Sequence, residues 1–354
     1  MCLHAKNGAC NRRRLVTNPL HGSDQARALH AEAPAIDLHA DPLLWNRFLG
    51  YDLNKRHSPP LPRAVLGGHV DVPRMQEGGV GGMFFGLVAL PGMDRRPRLT
   101  CEKQLDALVD AADRSEGRLF IATHADEVER AHREGRIAAL LGVEGAHSLE
   151  GDINNVDRFA ERGVRYLGLL HFSANECGAP ALGLGSDRTA GLSSFGHDVV
   201  TRCESLGVIV DLAHINRKGF MDACAHATRP MIVSHTGLAG VYPIWRNIDD
   251  EQLKAVADTG GVAGVIFVPD YLGKDGLDAV VDHLLHIINV AGEDAPALGS
   301  DWDGFVRPIR GLEEVSKLPD LTDALLRRGV SHTTIRKILR ENALRVLRDV
   351  PPRR

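Results

Sequence analysis

Histidines and carboxylates recur in this chain at one kind of place, the end of a short apolar run. In the stretch Ala-Ile-Asp-Leu-His-Ala-Asp (35–41), His39 and Asp41 are two residues apart. Alternation on a strand puts such a pair on one face. An imidazole beside a carboxylate suits a divalent cation such as zinc. The design then returns. Glu144 closes the run 136–144, His171 the run 164–171 and His214 the run 208–214; His235 ends 230–235 and Asp301 ends 297–301. Burying several imidazoles and carboxylates together without a cation is costly, and a bound metal removes that cost. A metal centre is therefore expected. Arg246, in the loop after the run that carries His235, offers a planar fork for a substrate carboxylate.

Eight apolar runs carry these residues, and helical patterns separate them. The runs are 35–41, 78–90, 136–144, 164–171, 208–214, 230–235, 261–268 and 297–301. Helical spacing follows at 100–116, 153–163, 194–206, 217–227, 249–259 and 277–290, with closing helices at 321–328 and 333–347, the last capped by Ser331. Strands alternating with helices predict an α/β protein with a parallel sheet, and eight such units a (β/α)₈ barrel. Polar residues at strand ends would then meet at the C-terminal mouth of the barrel, where such folds build their sites. Residues 1–34 have no period and are expected as a mobile N-terminal extension, with a short helix near 24–33. Residues 35–350 are expected as one domain. The Pro- and Gly-containing stretch 42–75 reads as a long loop that helps to cover the site.

Bulk properties narrow the classes. The 354 residues carry a net charge of −4, which gives no bulk attraction for nucleic acid. No run reaches the roughly 18 apolar residues of a membrane span. Six scattered cysteines without a Cys-x-x-Cys pair, and no secretion-signal pattern, lead to the expectation of a cytoplasmic protein. His57, His69, His124, His132, His226, His283, His286 and His332 lack partners at useful spacing and read as structural; His147 could support the site.

From Ala35 to Leu347 the chain resembles the renal, or membrane, dipeptidase family of metal-dependent amidohydrolases. The stretches that carry the resemblance are IDLHAD, EGGVGGMFF, GVEGAHSLEGD, GVRYLGLLH, GLSSFGHDVV, LGVIVDLAH, PMIVSHT, Arg246-Asn247, GSDWDG and the tail from GLEEVSKLPDLTDALLRRGVS to IRKILREN. The resemblance implies a barrel with two zinc ions. His39 and Asp41 would bind one, His214 and His235 the other, and Glu144 both. It also implies that His171 meets the substrate near the scissile carbonyl, that Arg246 holds the substrate carboxylate, and that Asp301 handles protons. Tyr271, just past the seventh run, would assist Arg246. Manganese or cobalt would suit the same N/O donors. The implied substrate is a dipeptide, with an L-Xaa-D-Xaa dipeptide within the family's range; a homodimer is the family's frequent state. Two alternatives stay open: hydrolysis of another amide, such as an N-acyl amino acid, and a non-catalytic metal-binding protein. The segment Phe172–Gly178 departs from the family pattern, as do Ile215-Asn216 and Thr236-Gly237, so specificity is where this chain is expected to differ.

Overall fold

Nine parallel strands organise the described residues: β1 (Ala35–Ala40), β2 (Val80–Val88), β3 (Leu119–Ile121), β4 (Ile137–Glu144), β5 (Val164–Gly168), β6 (Ile209–Asp211), β7 (Ile232–Thr236), β8 (Val262–Val265) and β9 (Pro296–Leu298). The structure is a computed structural model that describes residues 21–58, 63 and 65–353. Eight strands pair in the order β1-β2-β4-β5-β6-β7-β8-β9, and β9 returns to β1, which closes the barrel. The short β3 lies outside that ring and, among the described residues, pairs only with the start of β4. It and the helix Ala125–Arg133 that follows were not anticipated from sequence; three residues are too few to show a period.

Parallel strands buried on both faces need apolar side chains on both. Here alternate residues divide between two layers. Ile36, Leu38, Phe84, Ala138, Leu140, Tyr166, Ile209, Ile232, Val262 and Ala297 fill the barrel interior. Leu344, Val346 and Leu347 of the helix Asn342–Asp349 join that cluster and stop one mouth. Met83, Phe85, Ala139, Leu141, Val210, Val233 and Ala263 face the surrounding helices.

Two expectations need correction. Residues 21–34 are not a free extension. The helix Asp24–Glu32 buries Ala26, Leu29 and His30, and Ser23 caps it. Asp320 and Asp323 of the helix Leu318–Arg327 accept hydrogen bonds from the backbone N–H groups of Gly22 and Ser23 at 2.8 and 2.7 Å. The helix expected near 24–33 is thus docked, by a short buried face and by carboxylates that hold the backbone just before it. The stretch 42–75 is likewise not all loop, since it holds helices Pro42–Leu49 and Val72–Glu77. In both, proline stands in the first turn, where its missing N–H costs nothing. Pro59, Pro60 and Pro62 lie outside the described residues.

Candidate metal centre

The residues singled out at strand ends meet in one buried cluster at the C-terminal mouth. Glu144, the last residue of β4, lies at its middle. Its Oε1 is 3.0 Å from His214 Nε2, 3.5 Å from His39 Nε2 and 3.6 Å from His235 Nε2, and its Oε2 is 3.5 Å from His171 Nε2. His39 Nε2 is also 3.4 Å from Asp41 Oδ1 and 3.9 Å from Asp301 Oδ1. Three overlapping sets have the compactness of a metal site: His39, Glu144 and His235; Glu144, His171 and His214; His39, Asp41 and Asp301.

Strand ends alone do not account for this convergence. His39 and His235 each sit where a strand carries one extra residue. Between Asp37 and Ala40, β1 advances three residues while β2 advances two, and between Val233 and Thr236 β7 does the same against β8. Such a bulge turns a side chain that regular alternation would send to the other face. Ile36, Leu38 and Ile232 already occupy the interior; the irregularity lets His39 and His235 join them. His171, His214 and Asp301 lie three residues beyond the last residues of β5, β6 and β9. His214 and Asp301 have φ of 67° and 60°, the left-handed region that side chains other than glycine's seldom adopt.

Four supporting residues escaped the sequence reading. Asp211 accepts hydrogen bonds from the Ser234 N–H and hydroxyl, both at 2.7 Å, so β6 holds the bulged part of β7. The Ser234 oxygen lies 2.9 Å from His235 Nδ1. With its proton committed to Asp211, it accepts from Nδ1–H and leaves His235 Nε2 with a bare lone pair. On the opposite side the Tyr166 hydroxyl is 2.6 Å from His39 Nδ1. Asp37 accepts from the backbone N–H of Ser300 at 2.9 Å and of His39 at 3.2 Å, joining the first strand to the last. The available signal was a carboxylate embedded in an apolar run, as in IDLHAD and VDLAH.

The donor chemistry fits divalent cations. His39 Nε2 and Asp41 Oδ1 are buried with no hydrogen-bond partner among the described residues, although they face each other. His214 and His235 present their Nε2 atoms to each other at 2.9 Å. Burial holds both imidazoles well below the usual histidine pKa, aided by the nearby Arg246, so they are neutral, as ligands must be. Burial also pushes Glu144 well above the ordinary carboxylate range, against the pull of His39, and Asp41 and Asp301 push the same way. His39 goes the other way. Burial opposes its charge, yet Asp41, Glu144 and Asp301 hold its pKa well above 6.5. The carboxylates thus call for positive charge at the place where ligand atoms converge.

Arg246 is buried beside the cluster and donates from Nη2 to the His235 carbonyl at 3.0 Å; its guanidinium lies 5.9 Å from the Tyr271 ring. Burial raises Asp301 to about 8 despite the attraction of His39. His147 bonds the Ala89 carbonyl at 2.7 Å and belongs to none of the three sets, so it supports the loop next to His171. His69, read from sequence as structural, lies 3.2 Å from Asp303 Oδ1. No described helix is long and apolar enough to cross a membrane.

Fold and site together define a barrel with a buried cluster of metal-ligand residue types at the ends of its strands. A family model described as membrane dipeptidase, peptidase family M19, matches residues 23–352, and the chain belongs to that family. A curated relative, Dipeptidase tcpJ of Claviceps purpurea (strain 20.1), is 34% identical over 302 residues, 82% of this chain and 71% of its own. Among solved structures, the dipeptidase AC, a metallopeptidase of family M19, superposes with a TM-score of 0.79 at 28% identity, covering 90% of this chain and 99% of its own. A Rhodobacter sphaeroides metallopeptidase liganded with a phosphinate mimic of the dipeptide L-Ala-D-Ala gives the same TM-score and coverage at 26% identity. The relatives bear out the sequence-based resemblance and the barrel.

Proposed function

We propose that this protein hydrolyses the peptide bond of dipeptides at a centre of two zinc ions, with His39 and Asp41 on one, His214 and His235 on the other, and Glu144 shared. Its family and the dipeptide mimic held by a structural relative support the substrate class. The observation that carries the shared centre is the position of Glu144, which belongs to two of the three candidate ligand sets and whose Oε1 lies between the flanks, 3.5 Å from His39 Nε2 and 3.0 Å from His214 Nε2. Zinc, manganese or cobalt accept these donors. Bound divalent ions lower the pKa of water toward neutrality and polarise a carbonyl.

The chain's own groups do the rest. Arg246 pairs with the carboxylate at the substrate's C-terminus, and its depth beside the metal ligands limits the substrate to two residues. Tyr271 flanks that guanidinium. His171, which burial lowers to about 3, is neutral and donates a hydrogen bond to the developing oxyanion. Asp301 takes the proton from the attacking water and passes it to the leaving amine.

Metal analysis of the purified protein, beside a panel of L-Xaa-L-Xaa and L-Xaa-D-Xaa dipeptides, tests this reading. Two metals per chain with dipeptide turnover is the expected result. Two metals with turnover of N-acyl amino acids alone would move the substrate to another amide. Absence of stoichiometric metal after reconstitution with zinc would refute the centre. Asp301→Asn should keep both metals and lose at least about a hundredfold in kcat; wild-type kcat in that variant would remove the proton role.

A further inference from the structure

Beside the metal centre lies a second space that its chemistry does not use. A cavity of about 410 Å³ is walled by Ala181, Ile215, Pro243, Ile244, Trp245 and Ile248, with Arg246 and Asn216 also at its surface. It adjoins the backbone of one cluster residue, His214. Ile215 directly follows His214, and the Ala181 N–H donates to the His214 carbonyl at 2.7 Å. Arg246 belongs to both spaces: it lines the cavity, and its guanidinium bonds His235.

The outer wall is unusual. Trp245 is 62% exposed, and the Arg188 guanidinium stacks on its ring, 3.1 Å from the centroid. Arg188 comes from the Gly-rich loop after β5, and Trp245 from the loop after β7 that also carries Arg246. A guanidinium on an indole face is held by attraction to the ring's electron density. The pair therefore links two separate loops across the side of an apolar space that would otherwise be open.

We infer that this cavity receives the side chain of the C-terminal residue of the dipeptide, and that the Arg188–Trp245 pair sets it for large apolar or aromatic side chains. The inference rests on the dipeptidase reading and on Arg246 as carboxylate partner. In a dipeptide the C-terminal side chain leaves the carbon next to the carboxylate. A carboxylate paired with Arg246 therefore brings that side chain against the wall Arg246 shares with the cavity. The walls are mostly apolar, and a volume of about a dozen waters leaves glycine or alanine poorly enclosed. Within that wall, Ile215 and Asn216 belong to a segment where the sequence departs from its family.

The test is the ratio of kcat/KM for Ala-Phe and Ala-Leu over that for Ala-Gly, with both C-terminal configurations, on the zinc-loaded enzyme. The wild type should give a ratio of roughly ten or more, the discrimination a hydrophobic pocket achieves. Trp245→Ala should lower the ratio about tenfold by opening the wall. Ala181→Trp, which fills the space, should lower it too, and metal content of each variant checks that the centre is intact. A ratio near one in the wild type, or one unmoved by both variants, would overturn the inference while leaving the dipeptidase reading in place. Loss of turnover on every dipeptide by metal-loaded wild type would overturn both.

Discussion

At the scale of single residues, the centre depends on which nitrogen each imidazole presents. Ser234 and Asp211 fix that choice for His235, and Tyr166 touches the equivalent atom of His39. His214 Nδ1 is buried with no such partner among the described residues. The two ligand histidines of the proposed second ion are therefore unequally constrained. Ser234→Ala removes the acceptor for His235 Nδ1–H and leaves Asp211 short of a donor. It should weaken zinc binding by roughly 10- to 100-fold, measured by competition with a chromophoric chelator. Unchanged affinity would show that the bulge alone orients the ring. The residues of the cluster were legible in sequence, because a histidine or acid closing an apolar run breaks a strong pattern. Ser234 and Tyr166 were not, since a serine or tyrosine in a strand is ordinary and its hydrogen bond to a ring in another part of the chain leaves no local mark.

At the scale of elements, the eight barrel strands were readable from their apolar runs, while the two bulges were not. A bulge is a mismatch between two strands, and neither sequence contains it alone. Regular alternation would have grouped His39 with Asp37, whose carboxylate serves the backbone rather than the cluster. The departure of β1 from that alternation makes the site. Cross-strand fit is equally hidden. A Cβ on Gly142 would fall 2.0 Å from Cζ of Tyr166, so the ring that supports His39 lies flat on a bare backbone. Gly142→Ala should displace Tyr166, cost about 1–3 kcal/mol in stability and lower zinc occupancy. Thermal unfolding and metal content together check it, and an alanine variant with wild-type zinc content would mean that Tyr166 does not steady His39. Phe84, 5.0 Å from Tyr166, packs the same ring from β2.

At the scale of the whole molecule, the helix Asp24–Glu32 is fastened through His30. Its Nε2 lies 2.9 Å from the Thr322 hydroxyl and its Nδ1 3.3 Å from the Gly79 carbonyl. Burial lowers this histidine to about 4, against the pull of Gly79. The unfolded chain, with an ordinary histidine pKa near 6.5, therefore binds more protons below that value than the folded one does. Stability from this group is present in full above pH 6.5 and falls as the pH drops toward 4. By pH 5 the loss is about 2 kcal/mol. Denaturation of wild type and His30→Gln at pH 7 and pH 5 should show a smaller drop in the glutamine variant. Equal drops would place the acid sensitivity elsewhere. The sequence concealed this docking because the helix is largely polar and its anchors lie some 300 residues away.

The barrel closes between its first strand and its last, and the centre sits on that seam. The backbone N–H of Asp301 donates to the His39 carbonyl at 3.0 Å, that of Asp41 to the Trp302 carbonyl at 2.8 Å, and the Ser300 hydroxyl to the His39 carbonyl at 3.1 Å. Cluster residues from the beginning, middle and end of the chain become neighbours only once the ring is complete. A nascent chain that has not yet made β9 has no seam and no Asp301. Competence thus arrives last, as an all-or-none property of the finished ring, and a bound metal would work as a clasp that tightens only on chains whose two ends have already met.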